Sequence, residues 1–215
     1  MIPKRIHQIY GIFNDGIPLQ DIDIFRECVD ETERFCKKNK YEYKLWNLKE
    51  CEELICEDYP QYIWLWTEFR HDIQRADFIR YLILHKYGGW YVDCDVYPIQ
   101  NLEPLLSNKQ VFTYWNNDQK RLPYNAVMGS AFQNELFIKI CEDIEKRTVE
   151  KQSMKIYDKW QGRLVFQTTG HAMLRNHVPK DSLQDLLIIE NEKKNIFITA
   201  DNPYFYDKNA SIWYH

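Results

Sequence analysis

Within its first 60 residues the sequence alternates twice between strand and helix signals, and this alternation limits the fold more than any other feature. The segment "KRIHQIYGIF" is apolar-rich and β-branched and closes on "NDG", a turn signal, so it reads as a first strand. In "DIDIFRECVDETERFCKKN" Ile24, Cys28, Thr32, Phe35 and Cys36 fall near one side of a helix. "YEYKLWN" alternates like a short strand, and "LKECEELICEDY" reads as a second helix that Pro60 stops. This β-α-β-α order predicts a layered α/β fold with a mostly parallel sheet. A length of 215 residues suits one such domain.

Residues 70 to 87 carry the strongest helical period, with Ile73, Ala76, Ile79, Leu82 and Ile83 on the apolar side and Lys86 at the wet end. Gly88 is placed to end that helix, because glycine tolerates the left-handed conformation of a cap. "WYVDCDVYP" then reads as one short strand ended by Pro98, and "NLEPLL" as a helical turn. "QVFTYWN" and "YNAVMGSAF" read as strands, and "NELFIKICEDIEKRTVEK" as a helix capped by Asn134. The stretch from 151 to 185 is less regular, and "LLIIE", "NIFITA" and "ASIWYH" are short strand candidates.

Asp93 and Asp95 sit two apart, so in a strand they project from one face. At the carboxyl end of a strand in an open α/β sheet, that face is where ligands bind. Two ionised carboxylates in apolar surroundings repel each other and resist burial, and a divalent cation compensates both. Hard oxygen donors suit Mg²⁺ or Mn²⁺, especially where phosphate oxygens complete the shell. Gly88 and Gly89 would let backbone approach a ligand, and Trp90, Tyr91 and Tyr97 supply ring faces. The plain alternative is two solvated acids in a loop. Asp77 and Arg80, three apart, share a helix face; spacing alone favours a surface ion pair over a clamp on a polyol or phosphate.

The net charge of −4 supplies no basic face and gives no reason to propose a nucleic-acid partner. No apolar run approaches the roughly 20 residues of a membrane span, and "MIPKRIHQIYGIF" lacks the apolar centre of a signal peptide. The 6 cysteines form no CxxC pair, which suggests reduced thiols and a cytoplasmic chain, with "NAS" at Asn209 a chance glycosylation match. Basic residues near 34 to 44 offer either a peripheral membrane contact or, more simply, a solvated helix face.

The stretch "RADFIRYLILHKYGGWYVDCDVYPIQNLEPLL" resembles the DxD-containing sugar-binding region of the family 32 glycosyltransferases. "IPKRIHQIYG" resembles that family's opening strand and "YEYKLWN" its second. The resemblance implies a GT-A fold, one Rossmann-like domain that binds a nucleotide-sugar, and transfer of a hexose to a glycan or lipid-linked glycan with retention at the anomeric carbon. It implies that Asp95 ligates Mn²⁺ or Mg²⁺, that Asp93 contacts the ribose and the metal shell, and that Asp77 and Arg80 hold the donor-sugar hydroxyls. That last implication overturns the surface ion pair. Tyr91 and Gly89 would lie against the donor. Tyr10 stands where most relatives carry a Trp stacked on the base, which leaves UDP- and GDP-sugars both open. Asn125 would face the reacting sugar or, equally, serve as a turn residue, and "TTGHAML" resembles a loop on the acceptor side.

Relatives continue into a histidine-containing segment and a closing Ser-Trp. "IWYH" is read as the start of that segment, making His215 a further metal ligand and the chain short by some residues; Ser211 and Trp213 as the closing pair is the other reading. Two rivals stand beside this reading. One is a sugar-nucleotide-binding protein without turnover. The other is a haloacid dehalogenase-like phosphatase, whose nucleophile motif "YVDCDVYP" also fits.

Overall fold

The structure is a computed structural model that describes residues 1–12, 16–117, 120–152, 161–184, 187–191, 196–198 and 203–208. The opening alternation forms as the sequence predicts. β1 (Arg5–Ile9) pairs in parallel with β2 (Glu42–Trp46), and α1 (Asp23–Asn39) makes the crossover between them. Lys40, in the left-handed conformation at φ 59°, ends α1. α2 (Leu48–Asp58) starts on a capping box: the Asn47 carboxamide accepts from Glu50 N at 3.0 Å, and the Glu50 carboxylate accepts from Asn47 N at 3.0 Å. Each satisfies a helix-end donor that would otherwise be orphaned.

After α3 (Ile63–Glu68), α4 (Asp72–Tyr87) leads into β3 (Gly89–Val92), which joins β1 in parallel. The sequence predicts an amphipathic α4, but Ile73, Gln74 and every residue from Ala76 to Leu84 are buried. The helix is covered on nearly all sides, as fits an element packed inside rather than on a surface. Burial of side chains such as Phe78, Ile79, Leu82 and Ile83 is worth roughly 1.5–3 kcal/mol each. Asp77 and Arg80 are therefore interior charges, not the surface pair that spacing favours.

Six strands form the main sheet in the order β2-β1-β3-β6-β5-β7, completed by β5 (Gln110–Asn117), β6 (Lys120–Ser130) and β7 (Leu183–Gln184). Only β6 runs against the rest, so the sheet is mostly parallel. α5 (Glu135–Gln152) follows, with Asn134 Oδ1 accepting from Leu136 N at 3.2 Å, as its expected capping role requires. α6 (Gln161–Thr168) and α7 (His171–Leu174) occupy the stretch that reads as irregular in the sequence.

The expected single strand over "WYVDCDVYP" is two strands in two sheets. β3 ends at Val92, and β4 (Val96–Pro98) belongs to a second sheet of order β4-β10-β8-β9, with β8 (Leu187–Asn191), β9 (Ile196–Ile198) and β10 (Phe205–Asp207). Asp93 and Asp95 flank the turn between the two sheets. The third strand candidate at the C-terminus, "ASIWYH", lies outside the described residues.

Candidate active site

The turn is braced from several sides. Val96 N donates to Asp93 O at 3.0 Å, which closes it. The Gln8 side-chain amide, reaching up from β1, donates to Asp93 O at 3.1 Å and to Val96 O at 3.3 Å. Tyr43 OH fixes that amide by donating to Gln8 Oε1 at 2.8 Å. Cys94 Sγ donates to Ile9 O at 3.1 Å. Gln8, fully buried in an apolar strand, is thus a positioning residue that sequence reasoning missed. A buried carboxamide needs partners, and that requirement was the signal.

A network of charges lies beneath the turn. Arg80 Nη1 is 3.1 Å from Asp93 Oδ1, and Arg80 Nη2 is 3.1 Å from Asp77 Oδ1. The same guanidinium donates to Asn125 O at 3.0 Å and to Ala76 O at 3.1 Å. Asn125 Nδ2 donates to Asp77 Oδ1 at 2.8 Å, and Thr169 Oγ1 donates to Asp77 Oδ2 at 2.9 Å. Tyr91 OH donates to Asp93 Oδ1 at 2.6 Å, and the Arg80 guanidinium stacks 4.6 Å from the Tyr91 ring centre. One cation thus lies between two carboxylates, so the compensation that the sequence assigned to a metal is supplied in part by Arg80.

Burial pushes the Asp77 carboxyl up to about 6, against the opposing pull of Arg80 and the Thr169 and Asn125 hydrogen bonds. Burial raises Asp93 in the same direction, again opposed by Arg80. Burial is the largest influence on Arg80 and works against its charge, but Asp93, Tyr91, Asp77 and Tyr81 together outweigh it and hold the guanidinium protonated well above its ordinary range.

The predicted site residues separate into three groups. Asp77, Arg80, Asn125, Asp93 and Tyr91 come together in one network, and Asp95 closes the turn beside it. Tyr10 follows β1 at the same carboxyl edge, with its hydroxyl on Ile17 O at 2.6 Å and its ring edge-on to Phe25. Two expectations need correction and one is beyond description. The Tyr91 ring is covered by Arg80 and is 2% exposed, so it supports the network rather than facing a ligand. Gly89 lies at the opposite end of β3, about 13 Å of strand from Asp93. A Cβ there would stand 2.6 Å from Arg5 O at φ +89°, so the glycine admits the neighbouring strand, not a ligand. His215, with Ser211 and Trp213, lies outside the described residues. Asn125 is a strand residue of β6, which removes its reading as a turn residue.

The donor set fits a divalent cation. Both contacts to Asp93 are on Oδ1, so a cation would approach through Oδ2, and Asp95 adds a second half-buried carboxylate. Among the described residues no group of three or more metal-binding side chains occurs. Two carboxylates, with the rest of the shell drawn from water and a phosphate-bearing substrate, is the usual arrangement for Mg²⁺. Arg80 repels a cation from the Asp93 side, which favours Asp95 as the closer ligand.

Comparison with known proteins agrees with this geometry. Residues 21–112 match a family described as a glycosyltransferase sugar-binding region containing a DXD motif. That match places residues 21–112 among the DXD-region glycosyltransferases. The matched span contains α4, β3 and the Asp93–Asp95 turn. Inositol phosphoceramide mannosyltransferase 3 of Schizosaccharomyces pombe is 38% identical over 105 residues, 49% of this chain and 27% of that protein. Mannosyl phosphorylinositol ceramide synthase SUR1 of Saccharomyces cerevisiae is 32% identical over 163 residues, 74% of this chain and 36% of that one. The chain thus spans about a third of the length of these curated relatives. A solved structure titled PaToxG glycosyltransferase superposes with a TM-score of 0.51 at 14% identity, covering 82% of this chain and 68% of its own. That likeness supports the glycosyltransferase fold that the mostly parallel sheet suggests.

Proposed function

We propose that this protein is a metal-dependent, retaining glycosyltransferase that moves a hexose from a nucleoside-diphosphate sugar to a glycan or lipid-linked glycan. The observation that carries the reading is the buried Asp77–Arg80–Asp93 chain ending at the Asp93–Asp95 turn. It combines polyol-binding and cation-binding groups within one carboxyl-edge site. Two relatives are named for mannosyl transfer to an inositol phosphoceramide, so GDP-mannose is the first donor to test and a phosphoinositol lipid the first acceptor.

A Mn²⁺ or Mg²⁺ held by Asp95 and the outer oxygen of Asp93 would neutralise the charge gathering on a departing diphosphate. The chain's own groups do the rest. Asp77 and Arg80 present an acceptor and a donor to sugar hydroxyls, and Tyr10 offers its ring to the base. Among the described residues of the network no carboxylate stands free of these roles to attack the sugar. Transfer on one face therefore fits: the bond from the anomeric carbon to the diphosphate oxygen breaks, the acceptor oxygen bonds to the same face, and its proton passes to the leaving diphosphate. The protein contributes position and fixed charge.

Thermal melting with UDP or GDP, in Mn²⁺ and in EDTA, tests the reading. Ligand at a hundredfold over Kd stabilises by roughly 2.7 kcal/mol, an upward shift of about 5–10 °C for a domain of this size. The shift is expected with metal only, and Asp95→Asn should abolish it. A shift that is the same in EDTA and in Asp95→Asn would overturn the site. Binding with metal but no sugar release from GDP-mannose, UDP-glucose or UDP-galactose would favour a sugar-nucleotide-binding protein without turnover.

A further inference from the structure

Asp77 and Arg80 are nearly saturated by the protein before any ligand arrives. A carboxylate offers about four lone-pair sites. Asp77 Oδ1 accepts from Asn125 Nδ2 and Arg80 Nη2, and Oδ2 accepts from Thr169 Oγ1. One acceptor position remains, on Oδ2. A guanidinium has about five N–H donors in a fixed fork. Arg80 uses Nε on Ala76 O, both hydrogens of Nη1 on Asn125 O and Asp93 Oδ1, and one of Nη2 on Asp77 Oδ1. One donor remains, on Nη2. A single acceptor beside a single donor matches one hydroxyl, or two neighbouring hydroxyls, of a sugar.

Which way the remaining Oδ2 lone pair points depends on Thr169. Among the described residues its hydroxyl is the one side-chain donor on that oxygen. Thr169 is fully buried, and its backbone is held by Tyr81 OH donating to Thr169 O at 2.9 Å and by Thr169 N donating to Val165 O at 2.9 Å. Its hydroxyl also lies 3.3 Å from Val165 O, but the shorter contact to the charged Asp77 Oδ2 is the stronger claim on its proton. Beside it, a Cβ on Gly170 would stand 3.5 Å from Asp77 Oδ2 and 3.1 Å from Phe166 Cα, so the next residue puts no side chain into that space. The corner between α6 and α7 therefore packs closely on Asp77 and meets it through one hydroxyl and a residue without a side chain.

We infer that Thr169 is a positioning residue for donor-sugar recognition, setting the rotation of the Asp77 carboxylate so that its one open lone pair meets a sugar hydroxyl. The inference rests on the nucleotide-sugar reading and places the "TTG" corner on the donor sugar's side of the site.

The test is titration calorimetry, in Mn²⁺, of GDP and GDP-mannose and of UDP and UDP-glucose against wild type, Thr169→Val and Thr169→Ser. Valine keeps the shape and removes the proton donor; serine keeps the donor. Thr169→Val should bind the sugar-bearing nucleotide about 10-fold more weakly while the matching diphosphate binds as in wild type, and Thr169→Ser should restore the sugar-bearing affinity. Equal losses for the diphosphate and its sugar conjugate would show a merely structural role and overturn the inference. Unchanged affinity for both in Thr169→Val would overturn it and leave the site reading intact. No binding of any of the four to wild type would overturn the site reading, and this inference with it.

Discussion

Two buried polar networks sit on the same sheet and differ in what they leave open. At one, His7 in β1 is 1% exposed; its Nδ1 accepts from Trp46 Nε1 at 3.1 Å, and its Nε2 therefore carries the proton and donates to Gly88 O at 3.1 Å. Both ring nitrogens are used once, no net charge is present, and the bonds tie β1 to β2 and to the end of α4. At the other, one guanidinium serves two carboxylates, the sum of formal charges is negative, and acceptor and donor capacity is left over. A network built only to hold a fold closes on itself, as the first does. An unclosed, charged network inside a covered helix is costly unless something binds there. The contrast supports the second as the candidate site without reference to any relative.

The strongest test of that contrast is removal of the shared cation. Arg80→Met leaves the buried Asp77 and the half-buried Asp93 without their counter-charge, and the expected loss is about 3–5 kcal/mol in a urea melt at pH 7. Arg80→Lys should not recover it, because an ammonium cannot span Asp77 Oδ1, Asp93 Oδ1 and Asn125 O in one plane. A loss below about 1 kcal/mol in Arg80→Met would mean that the carboxylates are already solvated, and the difference between the two networks would disappear.

Much of this frame is legible in the residues. The strand and helix alternation through Asp58 fixes two of the parallel strands, and the period of α4 with Gly88 places the DxD at a carboxyl edge. The break after Val92 is not legible. Trp90, Val92, Cys94, Val96 and Pro98 are all buried, so the alternation of a strand runs on across a turn between two sheets. Pattern reading cannot see a turn that keeps the period. The partners of Asp77 are hidden for a different reason. Asn125 and Thr169 lie 48 and 92 residues away along the chain, and a threonine next to a glycine looks like a loop residue. α6 and α7 are short, with buried apolar positions at only Leu164 and Val165 and at Met173 and Leu174, too few to show a period.

The closed network predicts a smaller, pH-dependent effect. Burial lowers the His7 pKa to about 3 from 6.5, so the unfolded chain takes up a proton that the folded chain refuses throughout that interval. Stability from this residue is present above pH 6.5 and is lost as pH falls, by about 2 kcal/mol between pH 7 and pH 5. His7→Gln removes the titration, so its stability should fall less over that step than that of wild type, whatever its value at pH 7. Parallel slopes for the two proteins would show that the ring takes a proton in place, and that this network is not closed.

The smallest effect has the opposite sign and belongs to the site. The Asp77 carboxyl is raised to about 6 from 3.8, so between those values the folded protein binds the extra proton and wild type loses stability as pH rises. Asp77→Asn carries no such charge and leaves Arg80 paired one to one with Asp93. It should melt higher than wild type at pH 7.5 without ligand, by about 1 kcal/mol after the weaker bond to Arg80 is set against the relieved charge, and the gain should shrink toward pH 4. The same variant should lose affinity for the sugar-bearing nucleotide. A side chain whose removal stabilises the empty protein and disables binding is held in place by function, whereas no substitution of His7 should combine those two results. If Asp77→Asn proves less stable than wild type at every pH, the carboxylate is a structural tie like His7, and the two networks differ only in charge.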